Sequence, residues 1–137
     1  MRALRFAARL VAPGGKLVVL HVVVPFVPVT DIPAAAMSAY VAPDDLLHGA
    51  ARHLDRVIAK ALPRTKARIE AKVVIGDPYQ RIMAAARGMD AIVMSTTGRS
   101  GLSHLLIGSV AEKVVRHSPI PVLTMRPEAA RKLARVA

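Results

Sequence analysis

The stretch that decides the fold is residues 90–125, DAIVMSTTGRSGLSHLLIGSVAEKVVRHSPIPVLTM. It opens on Asp90–Ser95, a short apolar run that reads as a buried strand. A segment rich in glycine, serine and threonine follows, with glycines at 98, 101 and 108. Ser109 to about His117 then reads as a helix, broken by Ser118-Pro119. Ile120–Met125 closes the stretch as a second apolar strand. Strand, helix and strand in that order are the repeating unit of a parallel sheet with right-handed crossovers.

Outward from this stretch, the alternation continues toward the N-terminus. Gly76-Asp77-Pro78 is a turn whose Asp caps a helix with Pro at its first position, and that helix ends near Gly88. Lys66–Ile75 (KARIEAKVVI) alternates charged and apolar residues, the pattern of a strand with one wetter face near a sheet edge. Asp44 and Asp45 open a helix running to about Leu62, where acids suit the positive end of the helix dipole. Its apolar stripe is Leu46, Leu47, Ala50, Leu54, Val57, Ile58 and Ala61, and Pro63 ends it. Pro25 to Pro43 holds four prolines and reads as a loop. Leu17–Val24 is continuously apolar, as strands buried on both faces are. Residues 2–12 form a helix stopped by Pro13-Gly14-Gly15. The order is therefore αβαβαβαβ. It predicts a single α/β domain over residues 1–126, an open, parallel, doubly wound, Rossmann-like sheet, followed by a basic tail at 127–137. Such folds normally begin on a strand, and this chain begins on a helix.

Composition narrows the function classes. The chain has 137 residues, enough for one domain with a core, and is 53% hydrophobic and 21% charged, which argues against disorder. No apolar run reaches membrane-spanning length; the longest, Leu17–Val29, is interrupted by His21 and prolines. Arg2, Arg5 and Arg9 recur through the N-terminal apolar residues, so this segment reads as an amphipathic helix and not as a signal peptide. The absence of cysteine excludes disulfides and thiolate metal sites. Together these features suit a cytoplasmic protein. The net charge of +11 invites a polyanion partner. Its cations are scattered over helix faces, however, and two Tyr, two Phe and no Trp leave little to stack bases on. Nucleic acid is therefore not expected as the main partner.

The chemistry concentrates in Val93–Val110. Ligands of open α/β sheets bind at the carboxyl ends of strands, where loops lead into helix N-termini. Here Gly108 and Ser109 stand just before a helix whose N–H groups and dipole favour an anion. Glycines allow close approach to a phosphate, Ser109 can cap the helix, and Arg99 can supply positive charge. The same residues also fit a plain loop with a helix cap. Neither a Walker A loop nor a G-x-G-x-x-G fingerprint is present.

Gly98, nine residues, then Gly108-Ser109 resembles the second part of the G-x2-G-x9-G-Ser/Thr motif of the universal stress protein family. Asp90–Met94, Gly98–Ser103, Leu105–Val114, Pro119–Leu123, Gly76-Asp77-Pro78 and Leu20-His21-Val22 are similar to that family as well. The resemblance implies a five-stranded parallel sheet of order 3-2-1-4-5, dimeric through the last strand, here Ile120–Met125. One branch of the family binds ATP and another does not. In the binding branch the matching positions are Met94, Ser95, Gly98, Gly108, Ser109 and Val110 for phosphates and ribose, with Val22 near the adenine. The implied ligand is ATP or ADP, with Mg2+ as an optional companion. Ser95 stands where the motif has its first glycine and adds a side chain beside the ribose.

A second departure lies at the start. The family opens with a central strand ending in Pro-x-Asp-x-Ser, and this chain opens inside the following helix. Losing that strand would leave a gap of roughly 10 Å in the hydrogen-bond ladder. The pattern therefore carries the expectation of an upstream extension of about 15–20 residues, enough for one strand and its turn.

No other constellation carries chemistry. The histidines are His21, His48, His53, His104 and His117, and none pair at metal-ligating helical spacing. No G-x-S-x-G elbow or Ser/His/Asp set occurs. The expected function is a nucleotide-binding stress or regulatory protein with slow or no turnover. The alternative is a dimeric interaction module of the same fold that binds no nucleotide.

Overall fold

The computed structural model describes residues 1–24, 43–96 and 108–126. They form α1 (Arg2–Leu10), β1 (Lys16–Val23), α2 (Pro43–Ala61), β2 (Arg68–Ile75), α3 (Pro78–Ala85), β3 (Ile92–Ser95), α4 (Ser109–His117) and β4 (Val122–Met125). The alternation is the one expected, helix first. Local chemistry sets the ends. Past α1, Gly14 turns the chain at φ +79, in the left-handed region that favours glycine. Asp77 caps α3 by accepting the Gln80 N–H at 2.8 Å, with Pro78 in the first turn. Gly76 has φ +142, and a Cβ there would sit 2.8 Å from Arg81 Nε. That nitrogen donates to the Ile75 carbonyl at 2.9 Å, so the Arg81 side chain folds over the end of β2. After α4, Ser118 Oγ accepts the Ile120 N–H at 3.2 Å and turns the chain into β4.

The strands pair in parallel as two ladders. β1 runs beside β2 from Lys16↔Arg68 to Val23↔Ile75, and β3 beside β4 from Ile92↔Val122 to Ser95↔Met125. Each ladder is a two-stranded sheet. Between them lies a cavity of about 810 Å³, bordered by β1 and β3 and faced by α1 and α3 through Leu4, Ala7, Ile82 and Ala85. The break falls between β1 and β3, where the family resemblance places the first strand.

The break has a measurable consequence for packing. Among the described residues, the buried apolar ones are Ala7, Leu54, Ala61, Ala86, Ala111 and Val114, all on helices or at a helix end. No strand residue is buried: β1 beyond Lys16 and Ile92–Met94 of β3 are half-buried, and Ser95 is exposed. The expectation that Leu17–Val24 and Asp90–Ser95 are buried strands is therefore corrected. Strands in a parallel sheet lose water only when neighbours and helices cover them, and here one flank of each opens on the cavity.

β2 behaves as its sequence suggested. Glu70 lies between Lys72 at 2.8 Å and Lys16 at 3.2 Å. The Lys72 ammonium, and after it Lys16, hold the Glu70 carboxyl below its ordinary range. These groups are well exposed, so the cluster serves mainly to keep a charged, wet face on this strand.

Candidate functional site

Beyond Ser95 the chain is held by Thr96. Its N–H donates to the Met125 carbonyl at 3.0 Å, and its Oγ1 reaches the same oxygen at 3.4 Å. The Thr96 carbonyl in turn accepts the Gly108 N–H at 2.7 Å. The ends of segment 97–107 are thus tied together at the carboxyl end of β3. Gly108 is the N-cap of α4 and, as a glycine, offers no capping side chain of its own. The N–H groups of the first turn lie at the positive helix end, and no described side chain accepts from them. Glu112, the acid of the helix's first turn, is engaged by Arg116 at 3.0 Å.

Most of the residues singled out from the sequence fall into two groups. Val22 of β1 and Met94 and Ser95 of β3 line the central cavity together. Gly108, Ser109 and Val110 open α4, with Ser109 exposed. Gly98 and Arg99 lie outside the described residues, as do residues 127–137 and most of the expected 25–43 loop.

One role changes. Ser109 was expected to cap α4, but it is the first helical residue and Gly108 occupies the cap. Gly108 has φ −57 and ψ 145, a conformation open to any residue, so a side chain there meets no backbone strain. Thr96 is the residue that sequence reasoning missed. A threonine among Ser95, Thr96 and Thr97 carries no local mark of being the one that joins β3, β4 and α4.

Other chemistry finds no support among the described residues. No group of three or more His, Asp or Glu side chains could hold a metal ion there. His48 and His53 are exposed on α2, and His21 is half-buried on β1. His117 stacks edge-on against Tyr79 at 6.0 Å, a contact that ties α3 to α4, while its Nδ1 meets the Lys113 carbonyl at 2.9 Å within α4. His104 lies outside the described residues. No described helix is long and apolar enough to cross a membrane.

Parallel strands, crossover helices and, at the strand ends, a helix start that no described side chain caps define the class, an α/β protein of Rossmann-like architecture with a candidate anion site. The chain belongs to the Universal stress protein family, whose profile matches residues 1–126. It is 34% identical over 118 residues to a universal stress protein of Thermus aquaticus, covering 84% of this chain and 80% of that one. It is 39% identical over 61 residues to universal stress protein MJ0531 of Methanocaldococcus jannaschii, covering 43% of this chain. The match to MJ0577 of the same organism is 34% over 71 residues, covering 50% of this chain. These two matches span 36% and 44% of the relatives' own lengths. Among solved structures, the fold superposes on UspA from Lactobacillus plantarum with a TM-score of 0.68 at 24% identity, over 91% of this chain and 85% of that one. An Arabidopsis thaliana family protein solved with AMP bound gives 0.55 at 23% identity, over 93% and 77% of the two chains.

Proposed function

We propose that this chain binds an adenine nucleotide, ATP or ADP, and acts as a cytoplasmic stress-response or regulatory protein with slow or no turnover. The observation that carries this reading is the start of α4, where no described side chain caps the helix, held at the end of β3 by the Gly108–Thr96 hydrogen bond. Open N–H donors on a positive helix end suit phosphate oxygens. The AMP bound to the Arabidopsis relative gives the same reading family support.

In this reading Gly98, Gly108, Ser109 and Val110 hold phosphates and ribose, and Arg99 adds charge. Met94 and Ser95 lie beneath the ribose, and Val22 stands near the adenine. Mg2+ would be bound through the phosphates, since the described residues offer no metal cluster of their own. Residues 1–126 act as the functional domain, with 127–137 as a basic tail.

The protein pairs with a second copy along Ile120–Met125. Among the described residues β4 pairs only with β3, which leaves its other edge for a partner. Val122→Lys is then expected to yield monomer by light scattering. A dimer that survives this substitution places the interface elsewhere. For the nucleotide, protein purified from cells and heat-denatured should release an adenine nucleotide detectable by anion-exchange chromatography. A released fraction without adenine absorbance speaks for the interaction-module reading.

A further inference from the structure

Arg52, Arg56 and Lys60 of α2 are all exposed and follow one another at steps of four residues. Neighbours on this row stand about 6 Å apart along the helix axis. Arg64, exposed just past Pro63, follows at the same sequence spacing beyond the end of α2. Arg56 Nε donates to the Arg52 carbonyl at 3.3 Å, which draws its guanidinium back along the helix toward Arg52. Like charges four residues apart weaken a helix. α4 uses the same spacing the other way, pairing Glu112 with Arg116.

The ion pairs among the described residues are Lys16–Glu70, Lys72–Glu70 and Arg116–Glu112, so no described acid neutralises a cation of the row. Asp55 is the one acid between residues 46 and 64, and it lines a small cavity against Ala71 and Val73 of β2. α1 packs on α2 and adds exposed Arg5 and Arg9 with no acid of its own. Mutual repulsion along such a row weakens the helix, and a partner carrying closely spaced negative charges relieves it.

We propose that the Arg52–Arg56–Lys60–Arg64 row docks on the phosphate backbone of a nucleic acid, independently of base sequence. Guanidinium groups bind phosphate oxygens two at a time, and phosphate contacts position a protein without reading bases. The scarcity of aromatic residues removes base stacking and leaves backbone contacts intact. An anionic membrane is the competing polyanion. Helices that lie in a bilayer surface set large apolar side chains into the lipid. Here Leu54 is buried, and Val57 and Ile58 are half-buried.

The test is fluorescence anisotropy of a labelled, random-sequence DNA duplex of about 20 base pairs titrated with the 137-residue chain. With four phosphate contacts, log affinity falls against log salt with a slope of about −3.6, so binding weakens about 150-fold between 50 and 200 mM. Arg52→Gln/Arg56→Gln/Lys60→Gln is expected to flatten the slope to about −0.9. A variant of equal charge change, Lys16→Gln/Lys72→Gln/Arg116→Gln, removes cations already held by acids and should keep the wild-type slope. Circular dichroism checks that both variants fold. On the unsubstituted protein, bound DNA should shield Lys60 and not Lys72 from acetylation. Equal losses in the two variants, no binding at 50 mM salt, or an unshielded Lys60 overturns the proposal. Binding to phosphatidylserine vesicles without binding to DNA also overturns it and assigns the row to a membrane surface.

Discussion

The Gly108 N–H donates to the Thr96 carbonyl at 2.7 Å, and this one bond joins the start of α4 to the end of β3. It gives the candidate site its shape, because Thr96 is itself bonded to Met125 of β4. Two substitutions separate the bond from the backbone conformation. At φ −57 both Ala and Pro fit. Gly108→Ala keeps the donor and should cost about 0.5–1 kcal/mol as a poorer N-cap. Gly108→Pro also loses the donor and should cost about 1–2 kcal/mol more. Urea unfolding measures both, and equal costs would show that the bond does not hold the loop.

The cavity between the two ladders leaves a pattern that hydrogen exchange can read. Arg68 N–H donates to Gly15 and Gly76 N–H to Val23, so odd-numbered residues of β1 face β2. The amides of Val18, Leu20 and Val22 then point toward the cavity. Leu17, Val19 and Val23 are expected to exchange at least about tenfold more slowly than those three. Uniform protection along β1 would mean that its second edge is paired.

How much of this was legible in the sequence differs from element to element. The end of α4 was readable because Ser118-Pro119 punctuates it, and the start of α3 because Asp77-Pro78 does. The burial of β1 was not. An apolar run such as LVVLHVVV shows that a strand tolerates cover on both faces, and says nothing about whether cover is there. Of the six buried residues among those described, the helical stripe marks Leu54 and Ala61, while no hydrophobic pattern marks Ala7, Ala86 or Ala111 as core. The cap of α4 was misassigned to Ser109 because local preference favours serine. Its true position is set by Thr96, a partner outside any local window.

Adjacent residues on α4 give a sharp check of the packing. Val114 is fully buried and Val115 is 48% exposed. Val114→Ala removes two buried methyl groups and should cost about 2 kcal/mol, transfer and cavity terms together. Val115→Ala should stay within about 0.5 kcal/mol of wild type. Similar losses at both positions would mean that α4 presents a different face to the sheet.

The central claim is that the start of α4 holds a nucleotide's phosphates, and calorimetric titration of the 137-residue chain with ATP tests it most directly. The expected result is saturable heat at one nucleotide per chain, with a Kd below about 1 mM. Gly108→Val should abolish it by placing a branched side chain over the first-turn N–H groups. Ser109→Ala should weaken it less, because those N–H groups remain. No heat with millimolar ATP, or binding unchanged by Gly108→Val, would contradict the account and leave the loop a structural connection.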